Sequence, residues 1–403
     1  MFKKVLALVL AVLMCATAAV AFSSCSGEDE FKVGFIFLHD ENSTYDNNFL
    51  VAAKAACAAA GLTDSQIVFK KNIPESNDCY VAAKDLVDQG CDVIFADSFG
   101  HEDYIIQAAK EFPEVQFCHA TGTKAHTENL ANFHNAFASI YEGRYLAGIA
   151  AGMKLNEMIA ANEITADEAV MGYVGAYTYA EVMSGYTSFY LGAKSVCPSV
   201  TMKVTFTGSW YDEAKEKTAA ENLISQGCVL ISQHADSMGA PQACENAGVP
   251  NVSYNGSTQS ACPNTFIVSS RINWEPYFKY MIEQTQKGEA IDTDRTGSLT
   301  DGSVVLTDVN TAVAAAGTVE AIADAKAKLQ AGTLKVFDVE KDGYITVNGQ
   351  KLTSYKADVN TDAAFEKDTE VIANGCFEES KHRSAPYFDI EIDGIELLDR
   401  NYG

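Results

Sequence analysis

Apolar residues in this chain fall into short, nearly unbroken runs separated by amphipathic stretches. Residues 32–38, KVGFIFL, form one such run, the pattern of a strand buried on both faces of a parallel sheet. A polar loop at 39–48 follows, then an Ala-rich helix to about residue 60. Strand and helix patterns go on alternating, with strand 67–69, helix 77–89, strand 93–96, helix 103–111 and strand 115–118. Such alternation predicts a doubly wound α/β lobe. Gly61 and Gly90 stand just past helices, where a left-handed cap is wanted.

The stretch 132–153 organises the rest. Its first part, 133–137, alternates like a strand. From Ile140 a small-residue helical face begins, with Gly143, Ala147 and Ala151 at four-residue spacing beside Gly148 and Gly152. A neighbouring backbone can approach such a face closely, and the stretch reads as the crossing from one lobe to a second. A second block then repeats the alternation, with strands at 170–175, 202–207, 229–232 and 252–254 and helices at 181–194, 213–226 and 242–247. Residues 82–91, AAKDLVDQGC, recur as AAENLISQGC at 219–228, with six identities in ten, which suggests two lobes of like topology. The expected division is one lobe at about 32–135 plus 252–286 and a second at about 140–250 completed by later residues. Hinge strands are expected at 133–137 and near Tyr254 and Ser269.

After residue 286 the pattern loosens. A helix at 319–329, a strand entering an Asn-Gly turn at 344–350 and an alternating run at 387–392 are the only clear elements, so 291–403 reads as a C-terminal segment and appendage. Residues 292–297 and 338–343 faintly resemble calcium loops without the full spacing, and read as acidic turns.

With 403 residues, 47% of them hydrophobic, the chain has material for two domains or more. A formal charge of −25 and a pI near 4.6, with no basic patch, exclude nucleic-acid polymers and disfavour free nucleotides. A neutral small ligand fits better. Lys3 and Lys4, an apolar run at 5–13 and an Ala-rich continuation to Cys25 predict a secretory signal peptide at 1–24. Ser23-Ser24-Cys25 resembles a bacterial lipobox, which leaves Cys25 as the lipidated first residue of a cell-membrane lipoprotein with 25–31 as its tether. Cleavage after Ala21 by an ordinary signal peptidase is the alternative. Nine further cysteines show no metal-ligand or redox spacing and suit buried small hydrophobes.

In an open α/β sheet, ligands bind outside the carboxyl ends of the strands. The loops to watch are therefore 39–48, 97–103 and 119–124 in the first lobe, with 176–181, 208–212, 233–239 and 255–259 in the second. They carry Asn42, Tyr45, Phe99, Tyr177, Tyr179, Trp210, Tyr211 and Asn255, the lining of a cleft for something flat with polar edges. A purine ring between Tyr45 and Trp210, one from each lobe, would gain stacking of roughly 1 to 3 kcal/mol per contact. Trp210 could instead be a core residue, and Asp103 could be a helix N-cap. No HExxH, GxSxG, P-loop or GxGxxG is present, and no cofactor or metal is expected, so the chain reads as a binding protein and not an enzyme.

Several motifs, in order, resemble the basic membrane protein or PnrA-like family of ABC-transporter substrate-binding lipoproteins. They are residues 32–38, the Asn42-to-Tyr45 loop, Ser98-Phe99-Gly100 with Asp103, FCHATG at 117–122, YEGRYLAG at 141–148, GSWYD at 208–212 and Gln226-Gly227. The likeness spans about 32–286 and is strongest to the purine-binding branch. It implies two doubly wound lobes of the type I periplasmic-binding-protein kind, joined by a hinge, and an ABC permease and ATPase as partners. By the same resemblance Tyr45 and Trp210 stack on the ligand, Asp103 reads its edge, and Ser98 and Phe99 belong to a shared element. Asn255 stands where nucleoside binders have a ribose-binding Asp, Asp236 replaces a glycine, and Arg271 approximates a lysine. The expected ligand is a purine nucleobase or nucleoside. A ligand sensor for a membrane receptor is the alternative, and a nucleoside-processing enzyme a further one.

Overall fold

The computed structural model describes residues 30–359, 362 and 364–403. The expected signal peptide and Cys25 lie outside these residues. No helix among the described residues is long and apolar enough to cross a membrane.

Two parallel sheets form the frame. The first contains β1 (Val33–Ile36), β2 (Ile67–Lys70), β3 (Val93–Ala96), β4 (Gln116–Ala120) and β5 (Phe133–Ala138), with a late strand, β11 (Asp294–Gly297), on its edge in the order β11-β5-β4-β3-β1-β2. The second contains β6 (Val170–Gly175), β7 (Thr201–Phe206), β8 (Leu230–Gln233), β9 (Asn251–Tyr254), β10 (Phe266–Ile272) and β12 (Val304–Leu306). Its order is β12-β10-β9-β8-β6-β7, followed by a parallel edge strand, Ile395–Leu397. Only β12 runs antiparallel to its neighbour in these two sheets. β1, β3, β8 and β9 are buried along their whole length; β1 and β3 are accordingly apolar runs, whereas β8 ends in buried Ser232 and Gln233 and β9 alternates buried Asn251 and Ser253 with Val252 and Tyr254.

Helices cover both faces: α1 (Thr44–Ala59), α2 (Asn77–Asp88), α3 (Glu102–Glu111) and the single turn α4 (Ala125–Glu128) in the first lobe. In the second lobe they are α5 (Ile140–Ala160), α6 (Ala180–Val196), α7 (Glu213–Ser225) and α8 (Gly239–Ala247). The small-residue face of α5 meets α6 backbone to backbone. A Cβ on Gly148 would lie 2.0 Å from the Phe189 carbonyl oxygen, and one on Gly192 would lie 2.0 Å from that of Tyr145.

Three passages link the lobes. β5 leads into α5, β10 leads into α9 (Glu275–Lys287), and β11 leads into β12. Ser139 N donates to Gly297 O at 2.8 Å and Asn273 N to Ser303 O at 2.7 Å, so the passages are hydrogen-bonded to one another.

The pairing corrects two expectations. Residues 252–272 belong to the second sheet, because β9 pairs with β8 and β10 pairs with β9 and β12. Within 252–286 only α9 returns to the first lobe, where Phe278 packs edge-on against Phe35 at 5.2 Å. The lobes also do not end near 290, since β11, β12 and Ile395–Leu397 extend them. Edge strands pair through the backbone and need no apolar run, and DRTG in β11 has none. The rest of the C-terminal segment is α10 (Thr318–Gln330), small two-stranded ladders and loops around an aromatic cluster of Phe337, Phe377 and Phe388. All nine cysteines among the described residues are free thiols, eight of them buried.

Candidate functional site

The carboxyl ends of both sheets face one cleft. On the first lobe, Ser43 caps α1 by accepting from Asp46 N at 3.2 Å, and its hydroxyl donates to Asp46 Oδ2 at 2.6 Å. His39 N donates to Asp46 Oδ1 at 2.7 Å. Burial pushes the Asp46 carboxyl up, but the bonds from His39 and Ser43 outweigh it and hold the group below its ordinary range. Tyr45, in the same helical turn, donates its hydroxyl to Asp97 O at 2.7 Å and packs its ring on Phe49 at 4.8 Å. The Asp97 carboxyl, fully buried and beside Asp46, is pushed well above the usual carboxylate range by burial first and by that neighbouring charge second.

On the second lobe, Trp210 sits in the turn after β7, with its ring against Tyr177 at 5.2 Å and Tyr179 at 6.1 Å. Asp236 follows β8. Asn255 adopts a left-handed conformation, with φ of 63°, and donates to Asp236 Oδ1 at 3.0 Å. Burial, then the charge of Asp46 across the cleft, pushes Asp236 well up. Behind this wall Arg144, fully buried, stacks on Tyr173, Phe189 and Tyr254 with its guanidinium carbon 5.0–5.3 Å from each ring. It donates to Ser232 Oγ at 2.9 Å and to Tyr173 Oη at 3.1 Å. Tyr173 then meets His234, and His234 meets Glu181, which returns the chain of contacts to the cleft.

The slot between the lobes is lined by Tyr45, Ser98, Phe99, Trp210, Asp236 and Asn255, all expected from the sequence, and by seven further residues that include His39, Asp46, Thr121, Glu181 and His234. These last five fall in or beside loops expected to face a ligand. What the sequence lacks is a signal for which side chains point inward. In this closed arrangement the slot has room for about 20 Å³, the space of one water molecule, so a heterocycle enters only when the lobes part.

Four expected residues lie elsewhere. Asn42 is spent on Asp40, through its backbone N at 3.0 Å and its amide at 2.9 Å. Asp103 is in the first turn of α3, its side chain 71% exposed and paired with Lys124. Arg271 is half-buried in β10 and is not among the slot residues. Tyr179 lines a larger outer chamber instead, stacked on Tyr177 at 5.0 Å and tilted toward Phe99 of the other lobe at 5.6 Å. Ser98 lines the slot, but its hydroxyl donates to Glu75 Oε1 at 2.6 Å. Its role is therefore to hold the turn.

The outer chamber has a volume of about 790 Å³ and shares Phe99, Thr121 and Glu181 with the slot. Thr121 follows β4 with φ of 67°, a conformation that costs a β-branched residue on the order of 1–3 kcal/mol. Its neighbours impose it. Thr121 N donates to Ala136 O, Gly122 N to Asn135 Oδ1, and Thr123 N and Lys124 N both to Glu102 Oε1. No group of three or more metal-ligating side chains suited to an ion occurs among the described residues.

A family model described as ABC transporter substrate-binding protein PnrA-like matches residues 62–340. A purine-binding protein of Brucella abortus (strain 2308) is 34% identical over 271 residues, 66% of this chain and 72% of that protein. A putative ABC transporter glucose-binding protein of Haloferax volcanii is 33% identical over 197 residues, 49% of this chain and 46% of that protein. Among solved structures, an ABC transporter solute-binding protein from Aeropyrum pernix K1 superposes with a TM-score of 0.63 at 18% identity, over 78% of this chain and 94% of that one. That likeness speaks for the two-lobed binding-protein fold alone.

Proposed function

The chain belongs to the PnrA-like family of ABC transporter substrate-binding proteins, which bind and do not catalyse, and from that premise we propose that it captures an uncharged purine base or nucleoside between its lobes. The observation that carries this reading is that Tyr45 and Trp210 reach one slot from opposite lobes, beside the buried carboxyl of Asp236. Two rings clasp a flat heterocycle, and a carboxyl raised toward its protonated form both donates to and accepts from a heterocycle's edge. The name of the Brucella relative supports a purine. Closure of the lobes around the ligand would present one shape to an ABC permease and its ATPase on the extracytoplasmic face. Lipidation at Cys25 would keep the carrier beside them. One acyl chain holds a membrane weakly, so multiple acylation is implied.

A sugar ligand is the second reading, favoured by the name of the Haloferax relative and by the same pairing of aromatic faces with carboxyls. Calorimetric titration with adenine, guanine, hypoxanthine, their nucleosides and glucose separates the two. Binding of a purine at micromolar or tighter affinity, with no response to glucose, supports the proposal. Tight glucose binding with no response to any purine overturns it.

A further inference from the structure

We propose that the ligand site continues past the slot into the outer chamber, that Thr121 at the junction is a specificity-determining contact, and that the chamber takes an uncharged hydrogen-bonding substituent on the ligand. The inference rests on the reading above and adds where the ligand's second part goes.

Thr121 carries it. The residue is 4% exposed, it belongs to the lining of both chambers, and its hydroxyl oxygen is buried without a hydrogen-bond partner. A buried hydroxyl left unpaired is costly, as is a left-handed threonine, and here one residue bears both. Glu102 and Asn135 spend buried polar groups to hold the turn in that conformation. A ligand atom at the junction would give the hydroxyl the partner it lacks, as donor or acceptor.

The chamber beyond is walled by both lobes and by the C-terminal segment, which contributes Arg383, Ala385 and Tyr387. That wall lies past residue 340, where the family match stops. It is also fixed in place from both sides. Ser184 of α6 donates to Glu379, while Ser384 N donates to Asp294 Oδ2 of β11 at 2.7 Å.

Charge sets the chemistry of the substituent. Six acidic side chains line the chamber against three basic ones; two of the three, Lys124 and Lys367, are paired with Asp103 and Asp389, and among the acids Glu128 is paired with Lys110 and Glu391 with Arg400. The third, Arg383, directs its guanidinium to the carbonyls of Ala385 and Asp358. An anionic substituent would meet excess carboxylate. A neutral hydroxyl-bearing group would meet Thr121, Tyr179 and backbone.

The test is a calorimetric titration of the full mature chain with three probes: adenine, 9-(2-hydroxyethyl)adenine and the phosphate monoester of the latter. The readout is the ratio of each Kd to that of adenine. Tenfold or tighter binding of the hydroxyethyl compound over adenine, lost on phosphorylation, is expected. In Thr121→Val, which keeps the branched shape and removes the hydroxyl, the tenfold advantage should fall to about onefold to threefold. Tyr179→Ala, which removes an outer-chamber wall residue that also packs on Trp210 and Phe99, should reduce the same ratio. Thermal melts confirm that both variants fold. If adenine binds and the hydroxyethyl group adds nothing, or if Thr121→Val leaves the ratio unchanged, the inference falls while the purine reading stands. If no purine derivative binds, both fall together.

Discussion

Thr44 and Asp236 fasten the two lobes together directly: the backbone N and the hydroxyl of Thr44 both donate to the Asp236 carbonyl oxygen, each at 3.1 Å. Thr44 opens α1 in the first lobe, and Asp236 follows β8 in the second. A helix's first N–H groups have no partner inside the helix, so the closed cleft satisfies one of them with a carbonyl from the opposite lobe. Asn48, one turn further along α1, reaches Asn255 at 3.4 Å in the same direction. The tip of α1 is thus both a ligand wall, through Tyr45, and a closure contact.

Trp210→Ala is expected to weaken binding of the purine ligand by about 5- to 150-fold, the loss of one stacking face worth roughly 1 to 3 kcal/mol. The chain has two tryptophans. Trp274 is buried and stacked on Phe49 at 4.4 Å, away from the slot, so a ligand-induced fluorescence change in the wild type should come from Trp210 and vanish in the variant. Unchanged affinity in a folded Trp210→Ala protein would remove this residue from the site.

Much of the frame is legible in the sequence because strands such as β1 and β3 are buried throughout and spell themselves out as apolar runs. β11 does not, because an edge strand paired through its backbone can be written in polar residues. Membership of β9 and β10 is likewise invisible, since a buried strand can serve either sheet and only hydrogen bonding decides. Sequence reasoning reaches six of the thirteen residues that line the slot. It also expects Asp103 there, which lies exposed outside the slot, because the exposed and inward sides of a helix's first turn look alike in a short polar stretch. It has no handle on Thr121, whose left-handed backbone is imposed by distant Glu102 and Asn135.

Gly148→Ala should be severely destabilising. The added methyl would meet the Phe189 carbonyl oxygen at 2.0 Å, and that atom is backbone of a packed helix, so α5 and α6 would have to separate. Overpacking on this scale costs about 3 kcal/mol or more. Urea denaturation should show a lowered midpoint, or the variant should fail to accumulate. A midpoint within the error of the wild type would show that the helices slide at no cost.

Arg144→Met should lose about 3 kcal/mol of stability. The substitution keeps some of the packing against Tyr173, Phe189 and Tyr254 but strands the acceptors that the guanidinium serves, among them Ser253 O. Because those acceptors sit on the strands of the second sheet, loss of purine affinity should accompany it. Denaturation and titration of one preparation check both.

Glu379 contributes a separable part of the stability that is lost as pH rises toward neutral. It is fully buried, and burial first pushes its carboxyl up to about 7 from an ordinary 4.5. Between those two values the unfolded chain has released the proton while the folded chain keeps it. The part of the stability that this carboxyl contributes therefore falls as pH increases, by about 2 kcal/mol between pH 5 and pH 7.5. Glu216, pushed by burial to a similar position, acts in the same direction. Glu379→Gln preserves the shape and the acceptor for Ser184 while removing the titration. The variant should match the wild type near pH 5 and exceed it at pH 7.5, read as urea midpoints at the two pH values. An equal offset at both pH values would mean that Glu379 does not change its protonation between them.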